Sequence, residues 1–180
     1  MSEENIELYK YPIGNFKYEG DLTFEEIKSK ISELQILPSL LIEEVKNLNN
    51  EQLDTSYREG GWTLRQVVHH IADSHSNAFI RFKLSLTEDN PTIKPYSQSS
   101  WAETADSKNA PVQLSLYILE GLHGRFVLLL NSMSFEDFDK TFFHPEQKNN
   151  IPLKRMLSLY AWHGKHHLNQ IISLKKRMGW

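Results

Sequence analysis

The sequence contains no cysteine. This absence excludes a disulfide, a cysteine nucleophile and a thiolate metal ligand, so a reactive site must be built from other side chains. Long apolar runs are also missing, because the strongest run, Phe126 to Leu130, is far shorter than the roughly 18 to 20 residues that span a bilayer. The first residues, MSEENIELYKYPIG, lack the basic and then apolar pattern of a secretory signal. We therefore expect a cytoplasmic protein that does not bind membranes.

A strong excess of charge is missing as well. The formal net charge is -3, which gives no electrostatic reason to expect a nucleic-acid partner. The 180 residues are 39% hydrophobic and 24% charged, the balance of a globular chain of one domain. Neither repeats nor a change of composition divides the sequence. We expect a single domain over residues 1–180.

Local signals divide this domain into four long helices. Capping boxes at Thr23 and Thr63 predict helix starts, because each threonine is followed three residues later by Glu or Gln. The first helix should reach about Leu48, with Pro38 kinking or splitting it. The second should cover about Leu64 to Leu86, the third should run from Pro111 to about Met133, and the last from Pro152 or Leu153 to about Met178.

Two connecting segments are long. The first covers Thr87 to Ala110 and contains Trp101, and the second begins at Phe142. Connections of this length inside a compact domain are usually functional or disordered, and the aromatic content of the first favours a packed loop. No segment shows the period-two alternation of a strand. The fold class that follows is an all-α four-helix bundle with long loops.

Two histidines stand one turn apart on the predicted last helix. Because each residue turns about 100° around the axis, His163 and His167 fall inside the apolar stripe of that helix, and His166 lies on its flank. Imidazoles at i and i+4 on a buried face can reach one ion. The alternative is that both are core histidines bonded to backbone or hydroxyl groups. His166 is expected beside the site or at the surface rather than as a ligand.

A third ligand would have to come from a facing helix. On the second helix His75 lies in the apolar stripe and His70 at its edge, whereas His69 and Asp73 point outward. This reasoning leaves His70 and His75 tied, with His75 slightly favoured. His123 on the third helix points inward, as a hydrogen-bond partner of a ligand, a substrate contact or a satisfied core residue.

The chemistry of such a site follows from its donors. The run HGKHH at 163–167 is not the zinc-protease pattern, because no glutamate follows the first histidine. Three neutral imidazoles and one or two waters suit Zn²⁺, with Ni²⁺ as the next choice. A divalent ion with an open position lowers the pKa of bound water or of a bound thiol. Hydrolysis and thiol activation are therefore both possible.

Two stretches together resemble a known family. GGWTLRQVVHHIADSH at 60–75 and YAWHGKHH at 160–167 are similar to the YfiT family of the DinB-like superfamily. The resemblance extends over nearly the whole chain, with further matches at residues 11–14, 80–88, 122–125 and 177–180.

The resemblance implies a DinB-like four-helix bundle that binds one divalent metal ion through three histidines. Members of the family are described as metal-dependent hydrolases, and some are assigned as S-transferases that conjugate bacillithiol to electrophiles. Aligned on the family's motif, the first ligand corresponds to the second histidine of the pair at 69–70. The resemblance therefore favours His70 over His75 and gives His163 and His167 as the other ligands. The chain departs from richer histidine clusters in the family only in having Gly164 and Lys165 before His166.

Three functions compete at this point. A hydrolase would need a general base for the water, and Asp73 and Glu103 are the candidates. A thiol S-transferase would instead activate a low-molecular-weight thiol against an electrophile, which the absence of a glutamate in the motif slightly favours. A non-enzymatic metal-binding module could use Trp101 to contact a partner. A small-molecule substrate and a homodimer are expected for either enzyme.

Overall fold

Two capping boxes begin two of the long helices. In the computed structural model, which describes residues 3–18 and 20–180, the hydroxyl of Thr23 accepts a hydrogen bond from the backbone N–H of Glu26. The Glu26 carboxylate accepts in turn from the backbone N–H of Thr23. Thr63 and Gln66 form the same pair of bonds. Both predicted starts are confirmed, because this pattern satisfies donors that a helix end leaves free.

The long helices have nearly the predicted bounds. The last helix begins at Leu153, and the third begins one residue later than predicted, with Pro111 as its N-cap. Pro38 does not split its helix, contrary to one of the two expected outcomes. The elements in chain order are α1 (Glu3–Lys10), α2 (Phe24–Val45), α3 (Asn50–Leu53), α4 (Leu64–Thr87), α5 (Gln98–Ala102), α6 (Ala105–Asn109), α7 (Val112–Ser132), a 3₁₀ turn (Glu136–Asp139), β1 (Thr141–His144), β2 (Asn149–Pro152) and α8 (Leu153–Met178).

The two long connections are ordered. The first contains the short helices α5 and α6, and the ring of Tyr96 packs 4.5 Å from that of Trp101. The second was predicted as a loop but contains an antiparallel hairpin in which Phe142 pairs with Ile151. Both of these side chains are buried against the bundle. Each strand is so short that it contains too few alternating buried and exposed residues to be recognised as a strand from the sequence.

Four helices form the bundle. Helix α2 contacts α7 and α8, and α4 contacts the same two helices, so α2 and α4 lie diagonally opposite. This arrangement confirms the predicted fold class, an all-α bundle to which the structure adds the hairpin. No helix of the described part of the chain is long and apolar enough to cross a membrane.

A layer of histidines separates two apolar clusters in the middle of the bundle. One cluster contains Phe82, Phe126 and Leu157, and the other contains Leu41, Ile71 and Ile171. The change from one cluster to the other occurs between residues 72 and 78 on α4. It occurs between residues 119 and 126 on α7 and between residues 160 and 168 on α8. These intervals hold His75, His123, His163 and His167. The fold therefore places the polar groups of three helices at one level.

Candidate metal centre

Three histidines from two helices converge at the edge of this layer. One ring nitrogen from each of His70, His163 and His167 lies within 4.8 Å of the other two. The Nε2 atoms of His70 and His163 are 3.1 Å apart. Because Zn²⁺ binds imidazole nitrogen at about 2.0 to 2.1 Å, one ion can contact two nitrogens at this separation. The donor set fits a borderline divalent ion, since all three groups are imidazoles.

His75 is not part of this group. Its side chain is fully buried, and its Nε2 lies 3.2 Å from Nδ1 of His163. Its Nδ1 lies 3.0 Å from Nε2 of His123. The slight preference of face angles for His75 was therefore misleading. Both residues point inward, but His70 is the one whose ring nitrogen lies within 4.8 Å of those of both His163 and His167.

The three imidazoles are neutral near pH 7. Burial, with a contribution from His166, lowers the pKa of His70 to about 4. Burial and neighbouring histidines hold the pKa values of His163 and His167 well below their usual range. A neutral imidazole offers a lone pair, and protons compete little with a metal at such low pKa values. The cluster is thus in the protonation state that coordination requires.

A glutamine orients His167. The Nδ1–H of His167 donates to Oε1 of Gln170 over 2.8 Å. The amide nitrogen of Gln170 donates to the carbonyl of Lys10 at 2.9 Å and to Nε2 of His166 at 3.0 Å. Because a carbonyl only accepts, the contact with Lys10 fixes which end of the Gln170 amide is the nitrogen. The amide oxygen therefore faces Nδ1–H of His167, and the lone pair of Nε2 of His167 stays free. Sequence analysis did not identify Gln170, although its place three residues after His167 is the signal that could have found it.

His69 is more buried than predicted, whereas His166 lies in one of its two expected positions. His69 was expected to point outward, and this is wrong, because its Nδ1 lies 2.7 Å from the Ser115 hydroxyl and its Nε2 lies 3.1 Å from the Ala110 carbonyl. The segment that contains α5 and α6 covers this side of α4. His166 is buried beside the cluster, where its ring stacks on Trp162 at 4.6 Å.

Two cavities border the cluster. The first, of about 380 Å³, is lined by all three clustered histidines and by Arg58, Trp62 and other residues. The second, of about 540 Å³, is lined by Arg81, Tyr160 and His163 among others. His163 and Gln98 line both cavities. A ligand in either cavity would lie beside the same imidazole.

The two candidate bases lie elsewhere. Asp73 is half-buried, and burial together with the nearby Asp106 raises its pKa to about 6. Glu103 is exposed and ion-paired, and its hydrogen bond with Lys108 lowers its pKa. Over residues 3–18 and 20–180, neither carboxylate lines the cavity that contains all three clustered histidines. The structure therefore does not bring either base into that cavity.

Comparison with known proteins supports the same fold. Residues 33–171 match the DinB superfamily. A protein of Bacillus cereus strain 03BB102, named "Putative metal-dependent hydrolase", is 54% identical over 171 residues, which are 95% of this chain and 98% of the relative. A protein of the same description from Oceanobacillus iheyensis is 53% identical over the same shares of both chains.

A solved structure is similar over almost the full length. YfiT from Bacillus subtilis has a TM-score of 0.94 and 46% identity, and the match covers 96% of this chain and 99% of that protein. It is described as "a probable metal-dependent hydrolase with an unusual four-helix bundle topology".

Proposed function

This chain belongs to the DinB superfamily, and from that premise we propose that it is a metal-dependent hydrolase whose divalent ion is held by His70, His163 and His167. The observation that carries the proposal is the convergence of three neutral imidazole nitrogens within 4.8 Å at the wall of a cavity. Close relatives that share the description of metal-dependent hydrolase support it.

The side chains around such an ion have different roles. A bound Zn²⁺ ion, or Ni²⁺ as second choice, would lower the pKa of a water ligand toward neutrality and polarise a substrate carbonyl. His70, His163 and His167 supply lone pairs from rigid helices, and Gln170 holds one of them in orientation. The indole of Trp62 packs against the His70 ring, with the two ring centres 4.7 Å apart.

Metal content tests the ligand assignment. The purified wild-type protein, dialysed against Zn²⁺, should carry about one equivalent, and alanine at position 70, 163 or 167 should remove it. His69→Ala is the matched control, because His69 is a buried histidine adjacent to His70 that bonds Ser115 instead of facing the cluster. Full metal retention by His163→Ala or His167→Ala would contradict the assignment.

Hydrolysis requires a separate assay. Activated esters and amides should be cleaved by the zinc-loaded wild-type protein, a chelator should abolish the activity, and added Zn²⁺ should restore it. Cleavage that is equally fast in the chelated protein and in His163→Ala would contradict metal-dependent hydrolysis.

A thiol S-transferase is the second candidate, and two observations favour it. Over the described residues 3–18 and 20–180, the cavity that contains the three histidines is lined by no carboxylate that could act as a base toward water, and Glu146 lines only the second cavity. Two cavities meet at His163, which would allow a thiol and an electrophile to approach one centre from different sides. In this reaction the thiolate sulfur would form a bond to an electrophilic carbon, and an epoxide C–O bond would break, with its oxygen taking up a proton.

Mass spectrometry separates the two reactions. Incubation with bacillithiol or another low-molecular-weight thiol and an epoxide should yield the conjugate only if the protein is a transferase. Product from ester or amide substrates but not from this mixture would assign hydrolysis. Homodimerisation and a cytoplasmic location stay predictions, and sedimentation analysis would test the first of them. If neither reaction depends on metal, the non-enzymatic module is the better description.

A further inference from the structure

A line of three imidazoles connects the candidate ligand His163 to the backbone of α2. Nδ1 of His163 lies 3.2 Å from Nε2 of His75, and Nδ1 of His75 lies 3.0 Å from Nε2 of His123. Nδ1 of His123 lies 2.6 Å from the carbonyl oxygen of Leu34. His75 and His123 are 0% and 1% exposed, so neither ring contacts bulk water. The line therefore ends on a group of the main chain.

Pro38 explains why that carbonyl is available. In an α-helix the carbonyl of residue i accepts from the N–H of residue i+4, which for Leu34 is residue 38. Proline has no N–H, and α2 continues through it, so the helix gives the Leu34 carbonyl no partner of this kind. His123 supplies the missing donor. The proline inside this long helix therefore leaves a carbonyl oxygen free for His123.

The carbonyl sets the direction of every hydrogen bond along the line. A carbonyl only accepts, so Nδ1 of His123 must carry its proton, and Nε2 of the same neutral ring must accept. It accepts from Nδ1–H of His75, whose Nε2 then accepts from Nδ1–H of His163. The remaining nitrogen of His163, Nε2, keeps its lone pair. That atom lies 3.1 Å from Nε2 of His70, inside the three-histidine cluster.

We propose that Pro38, His123 and His75 are positioning residues that fix the tautomer and the ring orientation of His163, so that its Nε2 faces the metal. The inference rests on the metal site proposed above. The partner of a ligating histidine's second nitrogen is commonly a carboxylate or a backbone carbonyl. Here the backbone carbonyl acts through two intervening imidazoles.

Tautomers measured by NMR test the proposal in the unaltered protein. Long-range proton–nitrogen correlation spectra of the full chain, with metal removed, report which ring nitrogen carries the proton. Nδ1–H is expected at His123, His75 and His163. Nε2–H at any of the three would overturn the proposal. Because no metal is present, this outcome is independent of whether the wild-type protein binds Zn²⁺, which decides the proposed function.

Zinc affinity tests the consequence for the site. His123→Phe keeps a ring of similar size but removes the hydrogen bonds of His123 to Leu34 and to His75, and it should weaken Zn²⁺ binding about 10- to 100-fold in competition with a chelator. His123→Gln is the rescue variant, because its amide can donate with one atom and accept with the other, and it should recover most of the affinity. A folded His123→Phe variant with wild-type affinity would overturn the proposal.

Pro38→Ala provides a second variant if His123→Phe does not fold. It returns an N–H that competes for the Leu34 carbonyl, so we expect weaker Zn²⁺ binding and a mixed tautomer at His163. Ser39→Ala is the matched control, since Ser39 is exposed on the same helix and bonds only its own turn. Equal affinity and tautomers in Pro38→Ala, Ser39→Ala and the wild-type protein would reject a role for the proline.

Discussion

Acidification of the metal-free protein from pH 7 to pH 5 should lower its free energy of unfolding. Burial lowers the pKa of all eight histidines in the fold. The unfolded chain therefore binds more protons than the folded chain once the pH falls below about 6.5, the pKa of a free imidazole. The stability is fully present above that pH, and it is lost progressively as the pH falls toward the folded-state values.

Two histidines give the size of the loss. Burial places the pKa of His166 at about 4, and the pKa of His70 is also about 4. A shift from 6.5 to about 4 costs about 2 kcal/mol per group at pH 5. Asp73 acts in the opposite direction, and because solvent screens this half-buried carboxyl, its raised pKa of about 6 returns no more than about 1 kcal/mol on acidification. The net loss from these three groups is about 3 kcal/mol, against a typical total of about 5 to 15 kcal/mol.

Urea unfolding in the presence of a chelator measures this loss. With an m-value of about 3 kcal/mol/M, these three groups alone should lower the midpoint by about 1 M between pH 7 and pH 5, and the other buried histidines should lower it further. His166→Gln should reduce the difference in unfolding free energy by about 2 kcal/mol, since one titrating group is removed. An unfolding free energy that is unchanged or higher at pH 5 would refute the reasoning.

Three further predictions concern metal, packing and a buried cation. Zn²⁺ at about 100 times its Kd should stabilise the wild-type protein by about 2.7 kcal/mol in thermal unfolding but should leave His70→Ala unchanged. Gly164→Ala should lower the unfolding free energy by about 1 to 3 kcal/mol in urea, because a Cβ would lie 2.3 Å from a methyl group of Leu37, whereas Gly124→Ala, with no neighbour within 4 Å, should not. Arg65→Leu should cost about 2 to 3 kcal/mol in the same assay, because Asp54, Asn50 and the carbonyl of Ala110 lose the guanidinium that donates to them. A stable Gly164→Ala or Arg65→Leu variant would contradict these packing assignments.

Local signals predicted the helices well. The capping boxes at Thr23 and Thr63 act through contacts three residues apart, so the sequence contains the whole cause of each helix start. The hairpin at 141–152 was missed because it depends on contacts with a distant segment. The backbone N–H of Phe143 donates to the carbonyl of Pro91, and the N–H of Ile93 donates to Phe143. Such pairing is not visible in either segment alone.

The arrangement of the histidines was only partly predictable. Face angles correctly turned His163 and His167 inward, because that depends on the periodicity of one helix. The face angles gave the wrong result for His69. Other segments bury the start of α4 on every side, and the angles of a single helix contain no information about those segments. The face angles also could not separate His70 from His75. An angle gives the face of a helix on which a residue lies, but not the position along the helix at which a neighbouring helix makes contact. The resemblance favoured His70, and the structure places that residue in the cluster.

Anomalous diffraction at the zinc edge, from crystals of the zinc-loaded protein, locates the ion. We expect one ion at about 2.0 to 2.1 Å from a ring nitrogen of each of His70, His163 and His167, with Nε2 as the contacting atom of His163. An ion bound to other residues, one that contacts Nδ1 of His163, or no ordered ion at this site would contradict the account.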